Sequence, residues 1–322
     1  MGLIPAYAVD GGRINAAMLR TVLWASTSGA SGIVRATDLR VSALAVPGTK
    51  VNINPGAALL ANRFSGSSGT QSYAAASDGV TQLDIPATGS SGGRTDFIIL
   101  RIDDWHFTGA QAPVDPVNAL YCSFQRVSSL TGLNYPYVAL AKLVIPASTG
   151  TITNAMITDL RKVALPRTER VVRVNAMVIP ETETVSNATT GEYFPNAGGA
   201  QTVSIPPWAT RVKIRATWHG MVMPGGNCQG RMWVSFGDWD GKSWGAKSQE
   251  FAWDNVANAN TYRLDVSAVD DMPVPPALRG RDVRFQMWGR KLSSTSVGAR
   301  MDQNSGATLD LLFEEIADSS DS

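Results

Sequence analysis

Histidine and cysteine are both scarce in this chain of 322 residues, at two each. Cys122 and Cys228 are too few for a disulfide framework or a thiolate zinc site, and they read as small buried thiols. His106 and His219 leave little for general acid–base chemistry, which most often recruits histidine. Charge is thin as well: charged residues make up 17% of the chain and the formal net charge is +1. That balance supplies no electrostatic footprint for nucleic acid or an anionic membrane. No apolar run approaches the length of a membrane span. Met1-Gly2-Leu3-Ile4-Pro5 has no basic segment followed by an apolar one, so no signal peptide is expected. Ala6 stands where a myristoylation motif needs Ser or Thr. The expectation is a soluble chain made in the cytoplasm.

Turn chemistry is abundant instead, with 30 Gly and 17 Pro in a chain that is 44% hydrophobic. That combination predicts many short strands separated by tight turns. In the first half, Val46-Pro47-Gly48, Ile85-Pro86 and Ile145-Pro146 punctuate strand-like runs. Lys50–Asn54 alternates and is turned by Pro55-Gly56, whereas Asp96–Ile102 and Tyr137–Ile145 are apolar on both faces and predict buried strands. Residues 64–70 and 88–93 are loops rich in Gly and Ser. The one helix candidate is 12–25, where Ile14, Met18 and Val22 share a stripe and Asp10 is placed to cap the start. A stripe that narrow needs a neighbour, so Ile14, Met18 and Val22 are candidate docking residues toward another subunit.

Lys162–Arg170 carries charge, a proline and no period, which predicts a linker between a domain of residues 1–164 and one of residues 165–322. Beyond it the alternation is clear. Val212, Ile214, Ala216 and Trp218 share one face, and the sets Met232/Val234/Phe236, Leu264/Val266/Ala268, Val283/Phe285/Met287 and Leu309/Leu311/Phe313 follow. The fold class is therefore mostly β: an N-terminal β domain with one short helix, then an antiparallel, jelly-roll-like β-sandwich.

Catalytic motifs fail on inspection. Gly89-Ser90-Ser91-Gly92-Gly93 matches a nucleophile elbow in letters only, because the motif needs a strand before it and a helix after it. Asp103, Asp104 and His106 complete a triad only on paper. The pairs Asp103-Asp104, Asp270-Asp271 and Glu314-Glu315 point to opposite sides of any strand and cannot converge. A calcium loop begun at Asp238 puts Lys242, Ser243 and Gln249 where an acceptor, a glycine and a glutamate are required. Asn187-Ala188-Thr189 is a sequon by pattern alone. No catalytic residue, metal or cofactor is expected.

Aromatics carry the remaining signal. Trp208, Trp218, Trp233, Trp239, Trp244, Trp253 and Trp288 all follow the linker. Trp218 belongs to the core face, whereas Trp233 and Trp288 fall on the opposite face beside Arg231 and Arg284. Trp239 and Trp244 lie in a loop with Asp238 and Asp240. Aromatics flanked by Arg and Asp suit stacking on sugar rings or a protein interface; the alternative is a face packed against other parts of the assembly.

One group of motifs is more specific. Gly29-Ala30-Ser31-Gly32-Ile33-Val34-Arg35-Ala36-Thr37-Asp38-Leu39-Arg40-Val41 leads into Val46-Pro47-Gly48 and Val51-Asn52-Ile53-Asn54-Pro55-Gly56-Ala57-Ala58-Leu59-Leu60. Arg94–Asp103, Tyr137–Pro146 and Ile157-Thr158-Asp159-Leu160-Arg161 follow in order. Together they resemble the N-terminal domain of minor tail and baseplate proteins of tailed bacteriophages, especially those infecting actinobacteria, over about residues 8–163. The resemblance implies a virion protein at the tail tip, often a homotrimer, whose N-terminal domain docks on other tail-tip proteins. It further implies a C-terminal module that contacts the host surface; with the aromatic residues above, the expected ligand is a cell-envelope glycan. No collagen-like run, coiled coil or β-helix repeat predicts a fibre shaft. The alternatives are a purely structural tail subunit and, behind it, a glycan-degrading tail enzyme.

Overall fold

Backbone pairing follows the punctuation of the sequence closely. The computed structural model describes residues 15–175, 182–196, 200–238, 245–256 and 259–317. The chain forms two units, the first running to Pro166 with Ile316 and Ala317 counted in it, the second Arg167–Glu315. The division falls just beyond the predicted boundary at 164, and the last described residues return to the first unit.

In the first unit, helix α1 (Ala16–Thr27) precedes β1 (Gly32–Ile33), β2 (Val41–Ala43), β3 (Lys50–Ile53), β4 (Gly56–Ala61), β5 (Ser72–Ser77) and β6 (Thr81–Asp84). Then come β7 (Arg94–Ile102), the single turn α2 (Trp105–Thr108), β8 (Cys122–Val127), β9 (Tyr137–Ile145) and β10 (Ile157–Asp159). The two runs predicted to be buried are the central pair of the sheet β10-β9-β7-β8, flanked by the sheets β1-β4-β5 and β2-β3-β6. On β7 Ile98, Ile99 and Leu100 are all buried. Strand β9 is covered on one face only: Tyr137, Ala139 and Lys142 are half-buried and Val144 is 50% exposed, so its apolar outer side overstates its burial.

Helix α1 departs from the expected 12–25. Its N-cap is Asn15, whose side chain accepts from the Met18 N–H at 2.9 Å. Asp10, the expected cap, lies outside the described residues, as does Ile14. Met18 is 3% exposed and buried within its own unit, so it does not present a docking surface. Leu19, the next residue round the helix, is 50% exposed, and Val22, one turn beyond Met18 on the same stripe, is 37% exposed.

The predicted linker is also largely ordered. Lys162 O accepts from Ile33 N and Ala164 N donates to Ile33 O, at 2.9 and 2.8 Å. Pairing with β1 satisfies this backbone without any hydrophobic period.

One buried guanidinium ties the first unit together. The Arg161 side chain is fully buried. Its Nη1 donates to Ala36 O at 3.2 Å and Asp38 O at 2.7 Å, while Nε and Nη2 hold the Asp159 carboxylate. Asp38 Oδ2 accepts from Arg35 N and Ala57 N at 3.0 and 3.2 Å, closing the turn that Arg161 grips. Gly56 lies against that turn at φ +155°, where an added Cβ would stand 2.5 Å from Asp38 Cβ. Leu39, at φ +54°, is driven into the core at 0% exposure.

The second unit comprises β11 (Thr168–Asn175), β12 (Glu183–Thr184), β13 (Glu192–Tyr193), β14 (Gln201–Ser204), β15 (Arg211–Met223) and β16 (Cys228–Gly237). It continues with β17 (Ala246–Lys247), β18 (Phe251–Asn255), β19 (Tyr262–Pro273), β20 (Asp282–Lys291), β21 (Arg300–Met301) and β22 (Gly306–Glu314). One sheet orders its main strands β11-β22-β15-β19, the other β14-β20-β16-β18, with β12, β13, β17 and β21 as short extensions. Numbered along the chain, the eight main strands alternate as 1-8-3-6 and 2-7-4-5, the winding of a jelly roll. Val212, Ile214, Val234, Phe236, Leu311 and Phe313 help fill the core between the sheets. The expected alternation holds on β15, β19 and β22 and fails on β16, where Trp233 and Ser235 are buried as well. Arg167 closes the unit at its ends through a bidentate pair with Glu315, at 2.7 and 2.8 Å.

Arg161→Ala should destabilise the first unit by about 3 kcal/mol, the scale of breaking a buried ion pair. Arg161→Lys should recover little, because one ammonium nitrogen cannot stand at the three separate positions from which Nε, Nη1 and Nη2 reach the two carbonyls and the carboxylate. Calorimetry should show the transition of the first unit falling while that of the second holds.

Candidate functional site

The residues expected on the outer face of β16 and β20 form an aromatic row. Tyr193, Trp288 and Trp233 are opposite one another on β13, β20 and β16. The two indoles stack at 5.8 Å with 9° between planes, and Tyr193 meets Trp288 edge-on at 4.6 Å. The row is lidded from within its own unit. Lys247 Nζ sits 4.3 Å from the Trp233 ring centre, and Glu250 links Lys247 to Arg290. Gly191 approaches so closely that a Cβ there would stand 2.3 Å from the Trp233 ring. Burial raises the Glu250 carboxyl pKa, but hydrogen bonds from Lys247 and Arg290 outweigh it and hold the group ionised below its ordinary range.

An open sugar platform at Trp233 is therefore not what the structure builds, because Trp233 is 3% exposed. Trp288 is half-buried, and its Nε1 is enclosed without a protein acceptor. Arg231 is half-buried and Arg284 exposed; Asp238 is exposed and pairs with Arg281 at 2.8 Å. Trp239, Asp240 and Trp244 lie outside the described residues. Trp218 is fully buried as expected, its Nε1 donating to Phe194 O at 3.1 Å. Trp253 also belongs to the core, a placement its surrounding sequence does not signal.

A second feature escaped the sequence reading. In the first unit a cleft of about 790 Å³ opens between α1, β5, α2 and the segment before β8, walled largely by alanines and Leu120. At its base Arg20 Nε donates to Gln71 at 2.9 Å and the Tyr73 hydroxyl to Asp104 at 2.9 Å. Burial, then the Asp104 hydrogen bond, pushes the Tyr73 phenol above its ordinary range. Burial likewise raises the Cys122 thiol, so the thiolate is disfavoured there. Its components are dispersed from residue 15 to 122, and no local spacing announces them.

The paper triad does not assemble. Ser90 and Ser91 precede β7 and His106 follows it, so the nine-residue strand separates them by roughly 27 Å. Asp104 accepts from the backbone N–H of His106, capping α2. The adjacent carboxylates are separately engaged: Asp103 by Arg101, Asp271 by Arg211, Glu314 by Lys213 and Glu315 by Arg167. On the outer face of the other sheet, His219 bridges Asp265 and Thr308 at 2.9 Å each. That hydroxyl–imidazole–carboxylate line lies flat on a ladder, where Thr308 pairs with Thr217. Its backbone donors are directed along the sheet and not toward an oxyanion above it. Among the described residues, no group of three or more His, Cys, Asp or Glu is arranged to hold a metal, and no helix is long and apolar enough to cross a membrane.

No family model matches this sequence, and no curated protein does. Among solved structures, the chain is similar to "Structure of infectious bursal disease virus Gx strain" at 14% identity, covering 91% of this chain and 69% of that one, with a TM-score of 0.28. The infectious bursal disease virus VP2 subviral particle matches at 13% identity over 91% and 69%, with a TM-score of 0.29. Dimeric latent PorU from Porphyromonas gingivalis matches at 11% over 92% and 26%, also at 0.29. Likenesses this weak carry no argument about the chain.

The acid limb of stability follows from the paired carboxylates. The Gly220 N–H and then His219 lower the Asp265 pKa; Arg263 lowers Asp302; Arg170 lowers Asp310. Each binds its proton less readily folded than unfolded. Their stabilisation is complete above the ordinary carboxylate range, near pH 4, and is lost as pH falls through and below it. Thermal melts of the second unit should therefore fall steeply below that range, and Asp302→Asn/Asp310→Asn should flatten the dependence.

Proposed function

We propose that this chain is a non-enzymatic virion protein of a tailed bacteriophage, a minor tail or baseplate subunit at the tail tip, assembled in the host cytoplasm. The first unit docks on neighbouring tail-tip proteins and the second contacts the host surface, with a cell-envelope glycan as the ligand class. The subunit is a homo-oligomer, a trimer on the family's pattern.

The observation that carries this reading is the ordered run of motifs from Gly29 to Arg161, whose members converge physically. Arg161 grips the carbonyls of Ala36 and Asp38, and Gly56 lies against Asp38. A set of individually degenerate motifs that meets at one buried node is better support than the same letters scattered over a surface. The second unit adds a jelly-roll winding, an architecture used by capsid and lectin domains, which agrees with the reading by analogy of fold. Leu19 and Val22 on α1 are its exposed docking candidates. Trp288, Arg231, Arg284 and Asp238 are its glycan candidates.

A second reading, a tail subunit without receptor binding, is favoured by one observation: Trp233 is sealed by Lys247 and the turn at Gly191. Labelled full-length protein, applied to purified cell envelopes from several actinobacteria, decides between them. Saturable binding reduced at least about tenfold by Trp288→Ala/Arg284→Ala, as expected for losing interface anchors, supports the receptor role. A folded protein that binds no envelope leaves the structural role.

A further inference from the structure

Strand β11 is a sheet edge of both charge signs with neither proline nor bulge. Among the described residues it pairs only with β22, in unbroken register from Thr168↔Glu314 to Asn175↔Ala307. Sheet edges are normally blunted by proline, bulges, brevity or charge. Here the charges, Glu169, Arg170 and Arg173, are of both signs and so do not repel every second strand. This one runs eight residues, TERVVRVN, with no proline and no register shift. Val172 and Val174 are 44% and 73% exposed on it. Glu169 and Arg173, both exposed, have no ion-pair partner among the described residues. The opposite edge, β19, carries three aspartates, Asp265, Asp270 and Asp271, against one arginine, Arg263, which is already paired with Asp302.

Backbone direction selects a register. Glu315 N–H donates to Arg167 O at 3.0 Å, so the odd-numbered residues of β11 turn their polar groups toward β22. By antiparallel alternation, Thr168, Arg170, Val172 and Val174 direct theirs away from the sheet. Two copies related by a two-fold axis at Val171 would pair Thr168 with Val174 and Arg170 with Val172, every one an outward-facing residue. The same register puts Glu169 opposite Arg173 twice, at non-hydrogen-bonded positions where side chains are closest. Moving the axis to Arg170 sets that arginine against itself, and moving it to Val172 leaves Glu169 opposite Asn175. Only the Val171 axis satisfies both backbone and charge.

We propose that β11 is an isologous interface through which two copies of this chain join their jelly rolls edge to edge, with Glu169 and Arg173 setting the register. The occupant is a second copy because the strand is complementary to itself in charge and hydrogen-bond phase. The contact adds to a threefold one; in a trimer it joins trimers in pairs, so particles contain an even number of chains.

Sedimentation of the full chain across a concentration series tests this. The wild type should reach an even-numbered assembly. Glu169→Arg and Arg173→Glu alone each put like charges face to face twice, and each should weaken association by roughly tenfold or more. The double swap Glu169→Arg/Arg173→Glu restores opposite charges in the same register and should restore assembly, as should mixing the two single variants. Circular dichroism and melting confirm that each variant is folded. A limiting mass of one or three chains, single variants that assemble like the wild type, or a double swap that fails to recover would each overturn the proposal.

Discussion

The first unit depends on the burial of one guanidinium. The Arg161 side chain has no exposure to water. Removing it from solvent is costly, and the cost is offset only because two carbonyls and a carboxylate are fixed around it. Those acceptors come from a turn near the start of the unit and a strand near its end. The turn is held in place by Asp38, and β4 leaves it through a glycine too crowded for any side chain. Strand pairing elsewhere in the unit builds on ends already fastened.

Much of this was legible in the sequence, for physical reasons. Asp96–Ile102 and Tyr137–Ile145 were legible as the central strands because neither shows a polar side, although the second is covered on one face only and leaves Val144 half exposed. Val212 through Trp218 read as half-buried because alternate residues leave opposite sides of the sheet. The same rule misread Trp233. Alternation assigns a face, but whether that face is wet depends on what the rest of the chain lays over it. Here a lysine, a glycine turn and a linking glutamate come from other segments. The cleft beside α1 was silent for a related reason: it is a space between elements, and the residues that line it come from segments far apart in the chain. Helix α1 was legible in kind and displaced in extent, since capping by Asn15 outweighs where the apolar stripe begins.

The aromatic row and the β11 edge show two ways a β-sandwich disposes of a surface. On the row, stacked rings are covered by cationic and backbone groups of the same unit, which makes the face stiff and largely dry. On the edge, no described strand covers the outward hydrogen-bonding groups, and polarity is left where a second strand can meet it. The charged outer face of the jelly roll takes a middle course, with Arg170 on Asp310 and Lys213 on Glu314 neutralising each other in water. Such exposed pairs add little stability each, and they keep a broad flat sheet soluble.

The closing pair of Arg167 and Glu315 has a consequence for how such a protein changes over time. Entry and exit of the jelly roll lie on neighbouring strands and are clasped by one salt bridge. Covalently, the second unit is spliced into the first between Pro166 and Ile316. A sequence exchange at those two joints replaces an entire sandwich as a cassette and leaves the Arg161 node untouched. Recombination can thus renew one half of the molecule wholesale, while the other half drifts only by point substitution.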